Sequence, residues 1–183
     1  MAPSVEREIK LRFASLEAAR AAVRSVGAPP LRTRRLQDDR LVDWADGRLR
    51  KERCVLRVRV EDGAVSLTFK GSPRPGAMKV REELETAIGE SEVLLALLER
   101  LGLRVWFHYQ KYREEYSRSG IVLAIDETPI GTFVELEGNE RGIEETARAM
   151  GRAPVDYVLD SYRGLFVKAR KAKGLPVIDM VFG

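Results

Sequence analysis

Hydrophobic and polar positions alternate with a period of two along much of this chain. In the opening run VEREIKLRF, residues 5 to 13, Val5, Ile9 and Leu11 fall on one side of an extended chain and Glu6, Glu8 and Lys10 on the other. Leu56, Val58 and Val60 likewise oppose Arg57 and Arg59, and Val65, Leu67 and Phe69 oppose Ser66, Thr68 and Lys70. Farther on, Val80 and Leu84 oppose Arg81, Glu83 and Glu85, while Tyr112 and Tyr116 oppose Lys111 and Arg113. Ile121, Leu123 and Ile125 oppose a face that ends in Asp126, and Val134 and Leu136 oppose Glu135 and Glu137. Asp62-Gly63 has the chemistry of a two-residue hairpin turn between two such runs.

Between the strands a helical period takes over. Ser15 is placed as an N-cap before LEAARAAVRSV, and Gly27 with Pro29 and Pro30 stops that helix. A second helix is expected from Ser91 to Gly102, a third from about Ile143 to Met150, ended by Gly151, and a fourth from Leu159 to Lys171 before the tail GLPVIDMVFG. No linker or repeat interrupts the chain. Residues 1–183 therefore read as one domain, with 159–183 as its C-terminal helix and tail.

Strands with one apolar and one charged face need cover on the apolar side, which the helices supply. Parity alone suits an open antiparallel sheet with its charged face in water, making surface ion pairs of little value. The composition of the polar face points elsewhere, because Arg and Glu dominate it where solvated strand faces favour Thr, Ser, Lys and Gln. The expected fold is α+β: an antiparallel sheet closed into a β-barrel, with its charges facing a lumen and helices packed outside.

Composition narrows the chemistry. Hydrophobic residues at 44% and charged residues at 33% describe a charge-rich globular chain rather than a disordered one. No apolar run reaches membrane-span length and the first residues lack a signal-peptide core, so a cytoplasmic protein is expected. A single cysteine, Cys54, excludes an internal disulfide, and the single histidine, His108, lies in the aromatic run VWFHY with no nucleophile motif beside it. Chemistry must come from carboxylates, lysines and arginines, or from a bound metal. The net charge of +4 permits an anionic partner. Clustered bases facing clustered acids suit a polyphosphate, whose oxygens accept from Arg and Lys while a divalent metal sits on the carboxylates.

In this order, the motifs resemble those of the CYTH superfamily, the triphosphate tunnel metalloenzymes, a group that includes class IV adenylate cyclases, thiamine triphosphatases and inorganic tripolyphosphatases. Glu6-x-Glu8-x-Lys10 resembles the ExExK signature, Leu56-Arg57-Val58-Arg59 the LRxR strand, and Leu67-Thr68-Phe69-Lys70-Gly71 the LTxKG strand. Arg81-x-Glu83-x-Glu85, Lys111-x-Arg113, Asp126, Gly131-x-Phe133-x-Glu135-x-Glu137 and Ser161-Tyr162 follow in family order. The resemblance implies a closed eight-stranded antiparallel β-barrel forming a tunnel that binds a triphosphate with one or two Mg²⁺ or Mn²⁺ ions. It implies that Glu6, Glu8 and Glu135 hold a first metal, with Glu83, Glu137 and either Asp126 or Glu85 at a second. It also implies that Lys10, Arg57, Arg59, Lys70, Arg81, Lys111 and Arg113 grip phosphate oxygens. Glu8 and Lys10 are the candidate catalytic pair, Lys10 assisting the leaving group or orienting the nucleophile.

One segment departs from the family pattern. Where relatives read DxYFDT, this chain has Asp39-Arg40-Leu41-Val42-Asp43-Trp44, which keeps both aspartates and leaves substrate choice open. Arg40 and Trp44 are candidates to touch a ligand's non-phosphate part, although a lone Trp in a loop is more often a packing residue. The expected activity is hydrolysis of inorganic tripolyphosphate, a nucleoside triphosphate or thiamine triphosphate, with ATP cyclisation as the alternative. A non-catalytic polyphosphate- or RNA-binding module is the reading from a different class. It is disfavoured because Phe69, Tyr112 and Tyr116 lie opposite the charged faces and carboxylates abound. A homodimer through an apolar helix face or the tail PVIDMVF is compatible with the pattern, and no membrane partner is expected.

Overall fold

The computed structural model describes residues 4–183. Among these residues nine strands and five α-helices follow one another as β1 (Ser4–Phe13), α1 (Leu16–Ser25), β2 (Pro30–Trp44), α2 (Arg48–Lys51), β3 (Val55–Glu61), β4 (Ala64–Lys70), β5 (Lys79–Ile88), α3 (Ser91–Arg100), β6 (Leu103–Arg118), β7 (Ile121–Thr128), β8 (Gly131–Glu137), α4 (Glu140–Ala149), β9 (Tyr157–Val158) and α5 (Tyr162–Ala172). The sheet order is β5-β4-β3-β2-β6-β7-β8-β1-β9, and an additional β5–β1 pairing closes β1 to β8 into an antiparallel barrel with β9 outside it. Closure is shared along β1. Residues 4–8 pair with β5, and residues 10 and 11 pair with β9 instead.

Local chemistry explains the punctuation. Asp62 and Gly63 both take positive φ, 49° and 80°, the pair of left-handed conformations that matches the twist of a two-residue hairpin. Ser15 caps α1 by accepting from the Ala18 amide at 3.2 Å. Asn139 does the same for α4 through the Gly142 amide at 2.8 Å, which starts that helix at Glu140 rather than near Ile143.

The apolar strand faces point outward under helices. Ile9, Leu11, Leu123, Ile125, Val134 and Leu136 form one cluster with Ala19 and Val23 of α1 and Ile143 and Ala147 of α4. Val42, Val58, Val65 and Leu103 form a second with Leu98 of α3. A third cluster breaks the simple inside-outside division: Leu41, Phe107 and Phe133 share the parity of the charged positions and pack on Tyr162 and Phe166 of α5. That helix therefore covers apolar side chains at one end of the barrel interior.

The altered segment is not a loop. Residues 30–44 form one continuous strand paired with both β3 and β6, because these neighbours supply the hydrogen-bonding partners that its own polar sequence does not advertise. Trp44 packs with the cluster under α3, and the Arg48 guanidinium lies 4.5 Å from its ring centroid. Arg40 pairs with Asp38 at 3.1 Å. Neither Arg40 nor Trp44 lines the interior cavity. His108 bonds Asp38 through Nε2 at 2.9 Å, and Cys54 is a free, partly buried thiol.

Candidate functional site

Strand pairing places the alternating charges around one cavity of about 1180 Å³. On β1 and β8, Glu8 stands across from Glu137 and Lys10 from Glu135. Lys10 Nζ lies between two carboxylates, 2.9 Å from Glu8 Oε1 and 3.1 Å from Glu135 Oε1. Burial alone would depress its pKa, but Glu135 and Glu8 outweigh burial and hold it above the ordinary lysine value. The same contest runs the other way for its partners. Burial opposes the charged forms of Glu8 and Glu135, yet Lys10 and the neighbouring cations hold both below the usual carboxylate range.

Basic groups from other strands complete the ring. Lys70 Nζ contacts Glu6 at 2.5 Å and Glu83 at 3.1 Å, and Arg81 reaches Glu6 at 3.0 Å. Arg113 makes a two-pronged contact with Asp126 at 2.7 and 2.6 Å and also donates to Glu135. Lys111 donates to Asp126 at 2.8 Å. Arg57 donates to Thr68 at 3.1 Å, and Thr68 donates to Glu85 at 2.6 Å.

Three residues of the barrel interior were not predicted as site residues, Asp39 having been named only as a retained family aspartate. Asp39, wholly buried, receives both prongs of Arg59 at 2.7 and 2.8 Å. Lys79 donates to Glu8 at 2.7 Å, and Tyr109 lines the cavity near Asp39, its phenol pushed up to about 12 by burial and the Asp39 charge. The signal for Lys79 was available in its parity with Arg81 and Glu83. Asp39 and Tyr109 were hidden because β2 and the first half of β6 show no clean alternation.

Not every candidate sits in the same setting. Asp126 is saturated by Lys111, Arg113 and the Tyr162 hydroxyl, and Glu85 lies at the periphery with half of its side chain exposed. Glu137 has no basic partner among the described residues; burial and the charges of Glu6, Glu135 and Glu8 push its carboxyl up to about 7. Lys79 and Lys111 are each pushed down to about 8, first by burial and then by Lys10 and Arg113 respectively. Among the described residues no three acidic, His or Cys side chains already converge in a metal-holding arrangement, because lysines and arginines occupy most of the oxygens.

So many buried ion pairs are a poor way to stabilise a barrel, since desolvation offsets most of their attraction and an apolar filling would serve as well. They suit exchange. An incoming polyanion can take the cations, and a cation arriving with it can take the released carboxylates.

A closed eight-stranded antiparallel barrel with a self-paired lumen of acids and bases defines a tunnel protein with a charged interior. Its sequence matches the CYTH domain model over residues 4–162, and the chain belongs to that family. A Methanocaldococcus jannaschii protein named "Putative adenylate cyclase" is 28% identical over 147 residues, covering 80% of this chain and 83% of its own. A solved structure from Pyrococcus horikoshii superposes with a TM-score of 0.76 at 26% identity, covering 90% of this chain and 99% of that one. A Hippeastrum structure, whose description as a putative adenylyl cyclase adds a dominant triphosphatase activity, shares the fold with a TM-score of 0.63 at 21% identity, covering 94% and 97%. Among the described residues no helix is long and apolar enough to cross a membrane.

Proposed function

We propose that this protein is a metal-dependent triphosphatase acting on a small triphosphate bound inside the barrel. The observation that carries the reading is Lys10 held between Glu8 and Glu135, a cation and two acids poised to separate toward a phosphate and a metal. Lys10, Arg57, Arg59, Lys70, Arg81, Lys111 and Arg113 line the cavity and would bind phosphate oxygens, stabilising the charge that develops in transfer. Lys10 would orient the terminal phosphoryl group or its leaving oxygen.

The donor set suits a hard divalent cation. Glu6, Glu8, Glu135 and Glu137 offer oxygen ligands on adjacent strands, and Glu137 forms no ion pair among the described residues. Mg²⁺ or Mn²⁺ would sit on Glu6, Glu8 and Glu135, with Glu83 and Glu137 as the nearer donors to a second ion, since Asp126 is held by Lys111, Arg113 and Tyr162 and Glu85 lies at the periphery. When bound, the metal supplies charge neutralisation at the phosphate oxygens.

Hydrolysis is the first reading because it needs only the charged groups that line the lumen, whereas cyclisation also requires specific recognition of adenine and ribose. The adenylate cyclase name of the Methanocaldococcus relative keeps cyclisation as the second reading. Phosphorus NMR with tripolyphosphate and with ATP, in the presence and absence of Mg²⁺ or Mn²⁺, separates the two. Metal-dependent orthophosphate release is expected; pyrophosphate with cyclic AMP would replace hydrolysis by cyclisation, and binding without turnover would leave a sensor or scaffold.

A further inference from the structure

Two helices on the barrel surface divide their faces differently. α4 turns Arg141, Glu144, Glu145 and Arg148 to solvent, the ordinary arrangement of an amphipathic surface helix. In α3, Leu94, Leu95 and Leu98 already pack on the barrel with Val42, Val58 and Leu103. A second apolar row remains outside: Val93, Leu97 and Leu101 are 53%, 58% and 71% exposed. Spaced four residues apart, they form one ridge of about 12 Å along the helix and its C-cap. No residue of α3 lines the interior cavity, so the ridge is separate from the lumen.

The ends of the ridge carry opposite charges. Glu90, the N-cap residue of α3, makes no side-chain cap bond, and Arg104 stands beyond the other end at the start of β6. Both are exposed, and neither forms an ion pair among the described residues. Glu90 precedes Leu97 by as many residues as Arg104 follows it, and the same holds for Val93 and Leu101. The order of acid, three apolar residues and base is therefore complementary to its own reverse. Two copies laid antiparallel about a two-fold axis at Leu97 bring Val93 of each against Leu101 of the other, and Glu90 toward Arg104. Their helix dipoles then also oppose, each positive end beside the other's negative end. Glu92 and Glu99 fall roughly 140° and 160° around the helix from Leu97, outside such a contact. An anionic lipid surface would call for bases on both flanks of the ridge, and α3 has an acid at one end and no lysine.

We propose that the ridge of Val93, Leu97 and Leu101 is a homodimer interface, in which α3 packs antiparallel on the same helix of a second copy about a two-fold axis beside Leu97. A single helix pair covers less than the roughly 800 Å² per partner of a standard interface, so the dimer should dissociate at micromolar concentrations, on the order of 10 µM. The interface stands whatever the lumen binds.

Sedimentation of the full chain from about 1 to 200 µM provides the test. Wild type should pass from monomer to dimer as concentration rises. Leu97→Asp, which sets two like charges at the axis, should weaken association at least about tenfold. Leu97 is exposed, so thermal melts of the two should agree. Glu90→Arg leaves the ridge intact and should also weaken association, by facing Arg104 with another base; Glu90→Arg/Arg104→Glu should restore it.

A wild type that stays monomeric throughout would overturn the interface. So would a dimer indifferent to Leu97→Asp, which would move the contact to another surface, and so would failure of the charge exchange to restore what Glu90→Arg removes. Flotation with vesicles of phosphatidylcholine and phosphatidylglycerol tests the other occupant. No binding is expected, and binding that Leu97→Asp abolishes would give the ridge to a lipid surface and overturn the dimer.

Discussion

The Tyr162 hydroxyl donates a 2.7 Å hydrogen bond to Asp126 Oδ2, tying the first turn of α5 to β7 inside the barrel. The Tyr162 ring also stands 5.3 Å from Lys10 Nζ and 5.0 Å from Lys111 Nζ, within cation–π range of both. One residue of the C-terminal helix thus touches an acid and two bases of the lumen.

Tyr162→Phe keeps the ring and removes only the hydroxyl. Asp126 retains Lys111 and Arg113, so no buried carboxylate is orphaned, and the expected loss is about 1 kcal/mol. Urea unfolding should show a lower midpoint at unchanged slope. An unchanged midpoint would mean that α5 is held by Phe166 and its apolar neighbours alone.

Asp39 makes a test of acid sensitivity. Burial would raise its pKa, but Arg59 and Arg57 outweigh burial and hold it below the ordinary value. A carboxyl depressed in the folded state contributes stability at neutral pH and loses it as pH falls below the unfolded value of about 3.9. Asp39→Asn leaves Arg59 buried without its acid and should cost about 3–5 kcal/mol at pH 7. Denaturant midpoints measured down the acid range should show the gap to wild type narrowing below pH 4 or so; a constant gap would contradict this account.

Lys79 and Lys111, each pushed down to about 8, set a direction for ligand binding. A polyanion favours their charged forms, so affinity should fall as pH rises through 8, by at most about tenfold per pH unit for each proton taken up. Lys79→Arg keeps its charge and should shallow the slope. Tripolyphosphate titrations from pH 7 to about 9.5 provide the measurement, the upper limit staying below the ordinary lysine pKa; a flat profile in wild type would remove these lysines from the binding account.

Glu135→Gln and Glu8→Gln each delete one of the acids that hold Lys10. Loss of an electrostatic element at a reacting centre costs on the order of a hundredfold or more in turnover, with the fold retained by circular dichroism. Full activity in both variants would dissociate these acids from catalysis.

The legible part of the site lay in strands whose neighbours on both faces are ordinary. Glu6, Glu8 and Lys10, or Glu135 and Glu137, alternate with apolar residues that α1 and α4 bury, so parity alone assigned their face. Residues 30–44 gave no such pattern: Asp38 and Arg40 are polar on the outer face just as Gln37 and Asp39 are on the inner. In β6, the register shift opposite Leu41 and Val42 interrupts the alternation near Trp106.

By itself, the sequence determined the barrel strands with clear parity, the Asp62-Gly63 turn and the family, because side-chain period, turn conformation and motif order are local properties of the chain. Tertiary structure alone decided which acid faces which base, that Asp39 pairs with Arg59 and Tyr109 lines the cavity, and that α5 covers one end of the barrel interior. These depend on register and on contacts between segments far apart in sequence, where a shift of one residue would turn every charge to the opposite face.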